Sequence, residues 1–150
     1  MNGYRAFALA LAVAAAGIPL HASEALKTIV DSYVSIQAKL AADDLAGAKE
    51  PARALMSRAA SMGPAGAAIA KSAGALDAAT DLKTARDAFA ELSDAVIAAG
   101  KAEGWKDVDA VRLGYCPMVK RHWLQKDGQV RNPYYGAQML TCGELKALPK

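Results

Sequence analysis

The sequence predicts a mainly α-helical protein, a small antiparallel three- or four-helix bundle with a short C-terminal β-hairpin and turn cap. Two observations carry that expectation. Between Glu24 and Ala99, apolar residues recur at helical spacing in stretches separated by short Asp, Gly or Pro breaks. From Trp105 onward the composition changes: both cysteines, both tryptophans, three of the five tyrosines and two of the five methionines lie between Trp105 and Cys142. A bland scaffold of about 82 residues thus carries one chemically dense tail.

The N-terminus precedes that scaffold with a different pattern. Met1 to Arg5 supply a short positive segment, Ala6 to Leu20 an apolar run without a charge, and Leu20-His21-Ala22 a small-residue site for cleavage before Ser23. Residues 1–22 therefore predict a secretory signal peptide, residues 23–150 a single helical domain, and the periplasm as its location. The run is short for a spanning helix, which needs about 20 apolar residues, so no stable membrane insertion is expected after cleavage. Loss of Arg5 lowers the net charge only from +3 to +2. Basic and acidic residues are interleaved, and no Lys/Arg block suggests a nucleic-acid partner.

Within residues 23–104 the first helix spans Glu24–Leu40. Leu26, Ile29, Val30, Tyr33, Val34 and Leu40 form its apolar stripe, Gln37 interrupts it, and Ser23 is the expected N-cap. Asp43 or Asp44 can cap a second helix, from about Leu45 to Met62, in which Pro51 demands either a kink near Gly47 or a late helix start. Gly63-Pro64 ends it. Ala65–Thr80, rich in Ala and Gly, predicts a short third helix whose small residues permit close packing. Asp81–Ala99 has the clearest stripe (Leu82, Ala85, Phe89, Leu92, Val96, Ala99), with Thr80 or Asp81 to cap it and Gly100 or Gly104 to end it. Short connections between such helices favour antiparallel neighbours.

In the tail (105–150), Val108, Val111 and Leu113 suggest an extended segment leading to Cys116. Trp123-Leu124 and Gln129-Val130 flank Lys126-Asp127-Gly128, an Asp-Gly hairpin signal. Asn132-Pro133-Tyr134-Tyr135-Gly136 reads as turn chemistry. Asn132 can close an Asx-turn, Pro133 fixes its backbone, and Gly136 permits a left-handed conformation. Its tyrosines, with Trp123, would cover the cysteines or form an aromatic docking patch.

Tyr115-Cys116-Pro117-Met118, Trp123-Leu124, Asn132-Pro133-Tyr134-Tyr135-Gly136 and Met139-Leu140-x-Cys142-Gly143 together resemble a family of exported bacterial proteins built around a domain of unknown function. Asp81–Leu92, with Ala85-Arg86, resembles that family's last helix more loosely. The resemblance implies a helical bundle with this motif at its C-terminal end. It also implies an envelope location, and association with heavy-metal efflux or copper-handling proteins.

The tail's chemistry leaves two readings open. An oxidising compartment and an even cysteine count permit a Cys116–Cys142 disulfide, which would close a loop of 26 steps and stabilise by roughly 3–4 kcal/mol. Alternatively, Cys116, Met118, Met139 and Cys142 form a soft-ligand set, for which thiolate and thioether sulfur select Cu(I). Zn(II) is disfavoured, because only His122 adds an imidazole. Met118 and Met139 also have a packing role open to them, and His122 a surface one. No nucleophile–base set, paired thioredoxin-type cysteine or phosphate loop appears, so no enzyme activity is expected. The sequence therefore predicts a non-enzymatic periplasmic protein that binds or senses a soft metal. Its alternative is a disulfide-stapled structural or interaction module without a metal.

Overall fold

The computed structural model describes residues 20–149; the signal-peptide expectation falls almost wholly on residues outside that range. Four helices, α1 (Leu20–Ala41), α2 (Leu45–Ala59), α3 (Pro64–Ala78) and α4 (Leu82–Glu103), precede three strands, β1 (Val111–Cys116), β2 (Arg121–Lys126) and β3 (Glu144–Ala147). The mainly helical class is as expected. The cap is larger than a hairpin: a three-stranded antiparallel sheet in the order β2-β1-β3.

Each helix packs chiefly on the next, so the bundle core runs from α1 through α4 in sequence order. Leu26, Ile29, Tyr33, Ile36 and Leu40 of α1 are fully buried against Leu55, Ile69, Leu76, Phe89, Leu92 and Val96. α1 continues N-terminal to Ser23, which is therefore not its cap. Asp44 caps α2 by accepting the Gly47 N–H at 2.7 Å. Because α2 starts at that cap, Pro51 lies in the helix interior and not in its first turn. α2 gives way to a single 3-10 turn at Ala60–Met62, and Pro64 opens α3. The small residues of α3 have the packing role expected of them: a Cβ at Gly66 would stand 1.8 Å from the Ala59 carbonyl oxygen. Asp81 caps α4 through the Thr84 N–H at 2.8 Å, and Gly104 ends it in a left-handed conformation (φ 70°). Gly100 stays inside α4, where the Trp105 ring occupies the space a side chain would take.

The strands do not follow the Asp-Gly signal. Asp127-Gly128 ends β2, and no strand occupies Gln129-Val130. The hairpin instead turns through Pro117–Lys120, where Lys120 takes a positive φ of 55°, and pairs Cys116 with Arg121 and Gly114 with Trp123. Packing decides this register. Trp123 is fully buried and lies over Gly114, where an added Cβ would meet its ring at 2.3 Å. One slip of register would turn Trp123 to the other face. β2 is also the strand held by the helices, because the Tyr33 hydroxyl of α1 accepts the Leu124 N–H at 3.2 Å while hydrogen-bonding Ser93 Oγ of α4 at 2.6 Å. Burial pushes the Tyr33 phenol well above its ordinary value, so it serves as a neutral donor and acceptor.

Two further ties hold the tail to the bundle. Gln37, the polar break in the α1 stripe, is buried and donates to the Arg131 carbonyl at 2.6 Å. Arg86 of α4 donates to the Leu40 and Pro133 carbonyls at 3.1 and 2.9 Å and pairs with Asp43, whose other oxygen accepts the Ala137 N–H at 3.0 Å. That N–H and the Arg86 guanidinium hold the Asp43 carboxyl below its ordinary value.

Gly114→Ala is expected to force the Trp123 ring aside and destabilise by about 1–3 kcal/mol, read as a lower urea midpoint. The lowered Asp43 carboxyl contributes its stability in full above the ordinary carboxylate range and loses it as pH falls through the lowered value. Asp43→Asn is therefore expected to be less stable at neutral pH and to show a shallower fall in stability below about pH 4. Equal acid limbs in denaturation series of the two proteins would contradict that role.

Candidate functional site

β1 ends at Cys116, whose side chain is fully buried on the face of the sheet that also carries Gly114 and Trp123. The chain then runs through β2 and a long return segment to Cys142, two residues before β3. Since Tyr115 pairs with Glu144, the next rung outward sets Cys116 opposite Gly143, beside Cys142. The two cysteines are free thiols, Cys116 buried and Cys142 partly exposed, and the β1–β3 register brings them to the same end of the sheet. Burial first, then the charge and hydrogen bond of Cys116, push the Cys142 thiol above its ordinary value.

The return segment is shaped by Asn132, which is fully buried. Its Oδ1 accepts the Tyr134 N–H at 2.9 Å, which is the Asx-turn. Its Nδ2 donates to the Cys142 carbonyl at 2.8 Å, its N–H donates to the Leu140 carbonyl at 2.7 Å, and its own carbonyl accepts the Gly136 N–H at 3.1 Å. Gly136 has the left-handed φ of 57° expected of it, with Asp43 where a Cβ would point. Tyr134, also buried, donates to the His122 carbonyl and stands edge-on to Trp123 at 6.1 Å between ring centroids. Burial raises its phenol, so it too remains a neutral donor. Pro133 is buried and gives its carbonyl to Arg86, whereas Tyr135 is only partly buried. The Asn-Pro-Tyr-Tyr-Gly run is thus a turn that fastens Cys142, with Tyr134 facing the core.

Gln125 completes the clamp. Its Oε1 accepts the Trp123 indole N–H and the Arg131 N–H, both at 3.0 Å, while its Nε2 donates to the Gln129 carbonyl at 2.8 Å. Sequence reasoning missed Gln125, Ser93 and the Asp43–Arg86 pair. Only Gln37 gave a signal, as a polar residue on an apolar stripe.

The four sulfurs are placed unequally. Cys116 and Cys142 lie at the same end of the sheet. Met139 is partly buried one turn before Cys142, whose N–H bonds the Met139 carbonyl at 3.0 Å. Met118 is 60% exposed in the Pro117–Lys120 turn. His122 is exposed and lies tilted against the Tyr115 ring, 4.9 Å between centroids. Among the described residues no group of three or more His, Cys, Asp or Glu side chains is arranged to hold a metal ion. A two-thiolate donor set fits a soft monovalent ion and lacks the third and fourth ligands of a structural zinc site.

The chain matches the family described as "Protein of unknown function (DUF3347)" over residues 29–107. It belongs to that family. The DUF3347 match covers most of α1, all of α2, α3 and α4, and the start of the connection to β1, so the cysteine-bearing tail lies beyond it. No curated protein and no solved structure matches the chain significantly.

Asn132→Ala is expected to leave the Tyr134 N–H and the Cys142 carbonyl without their buried partner and to cost about 2 kcal/mol or more. Alkylation of Cys142 in the native protein should accelerate in the same variant. An unchanged alkylation rate would separate Asn132 from the placement of Cys142.

Proposed function

We propose that this protein binds a soft metal ion, Cu(I) foremost, through Cys116 and Cys142, and does so as a non-enzymatic component of the bacterial periplasm. One observation carries the reading: two free thiols 26 residues apart in sequence are brought to neighbouring positions at one end of the sheet, one buried and one partly exposed. Thiolates bind d10 ions such as Cu(I) strongly, and the ion would supply the positive charge that two adjacent thiolates lack. Met139, beside Cys142, is the nearer candidate for an added thioether. Met118, exposed on its turn, is suited to making first contact with an arriving ion. The signal-like residues 1–22 support export, and the likeness of the tail to exported metal-associated proteins supports a copper-handling or heavy-metal efflux protein as partner.

Titration of the reduced protein with Cu(I) against a competing chelator tests this. The expected result is one equivalent bound with submicromolar affinity, and a loss of about 100-fold in Cys116→Ser or Cys142→Ser. Met118→Leu is expected to stay within a few-fold of wild type. Binding no tighter than micromolar, or affinity unchanged when both cysteines are serine, overturns the proposal. The same thiol proximity also supports the second reading, a disulfide-stapled envelope module.

A further inference from the structure

We propose that Cys116 and Cys142 form a thiol–disulfide exchange site, with Cys142 the entry sulfur and Cys116 the resolving one, and that oxidation latches β3 onto the sheet. This goes beyond metal binding: it uses the same two sulfurs but needs no ion.

The asymmetry of the pair assigns the roles. Cys116 is fully buried at the end of the central strand, so a dissolved disulfide has no approach to it. Cys142 is partly exposed, its backbone is held by Asn132, and the β1–β3 register sets it next to the rung of Cys116. The co-reactant is a small-molecule or protein disulfide, R–S–S–R. The Cys142 thiolate attacks one of its sulfurs. A Cys142–S–R bond forms, the R–S–S–R bond breaks, and the released thiolate takes up the proton Cys142 gave to solvent. The Cys116 thiolate then attacks Cys142 Sγ. The Cys116–Cys142 bond forms and the second R–S⁻ leaves, taking the proton lost by Cys116. Both cysteines are oxidised by one electron each, and one disulfide is reduced to two thiols.

The mechanical consequence follows from what lies on either side of Cys142. Before it, the return segment is fastened by Asn132. After it, Gly143 takes a φ of 133°, and β3 is four residues long, pairs only with β1 and buries no side chain fully. Glu144 and Lys146 pair with each other at 2.7 Å in the open. Such a strand opens at low cost. A bond from Cys116 to Cys142 anchors its base directly to the strand it pairs with.

Reduced protein mixed with oxidised glutathione, followed by thiol counting, intact mass and amide exchange, tests the proposal. Wild type is expected to lose both thiols and retain no glutathionyl group. Cys116→Ser should accumulate a glutathionyl group on Cys142, and Cys142→Ser should stay unmodified while circular dichroism reports it folded. In oxidised wild type the amides of residues 144–147 should exchange about tenfold more slowly, with those of α1 to α4 unchanged. Wild type that keeps both thiols, that holds the mixed disulfide, or that oxidises without slowing β3 exchange overturns the proposal, whether or not either variant folds. Wild type that binds Cu(I) but retains its thiols sinks this inference alone; wild type that forms the disulfide but binds no Cu(I) sinks the metal reading alone.

Discussion

The buried carboxamide of Asn132 governs the whole tail. Four hydrogen bonds converge on this one residue, from its two side-chain atoms and its own peptide groups. They reach Tyr134, Gly136, Leu140 and Cys142, and so fold an eleven-residue stretch around a single point. A buried amide that satisfies both donor and acceptor is far cheaper than one left half paired. The arrangement is therefore close to all-or-none, and the position of Cys142 is set by it. Aspartate or leucine of the same size could not replace it, because neither donates to the Cys142 carbonyl while accepting from Tyr134.

That fastened segment is joined to the bundle by polar bonds laid over an apolar contact. Trp123 and Tyr134 supply the apolar part, meeting Phe89 and the α1–α4 surface. Arg86, Gln37 and Tyr33 supply the polar part, and each uses a backbone group of the tail as its partner. Backbone partners bind the tail by its shape more than by its side chains. The bundle, which carries the family match, thus acts as a template for the tail's conformation, and the tail's own residues are left to carry the chemistry.

The helices were legible in the sequence because their signals are local. The stripes of Leu26–Leu40 and Leu82–Ala99, the caps at Asp44 and Asp81, the stop at Gly104 and the Asx-turn at Asn132 all depend on residues within a turn or two of one another. The strands were not, because their register depends on Trp123 finding Gly114, a cross-strand fit with no signature along the chain. Asp127-Gly128 misled for the same reason: it has the chemistry of a hairpin turn, but Gln125 uses the following residues to close a loop instead. β3 (Glu-Leu-Lys-Ala) has no β-branched residue to announce it. At the site, the association of Cys116 with Cys142 was foreseeable as one of two outcomes of an even cysteine count. The exposure of Met118 was not, since it follows from where the true turn falls.

The long-range nature of these ties also sets an order of events. The helices close through contacts between neighbours in sequence, whereas Gln37 reaches Arg131 and Asp43 reaches Ala137 across 94 residues each. Local contacts form early and distant ones late, because loop closure must precede any gain from them. Docking of the tail on the helices is therefore a late step, whereas the 26-step loop between Cys116 and Cys142 closes at lower entropic cost.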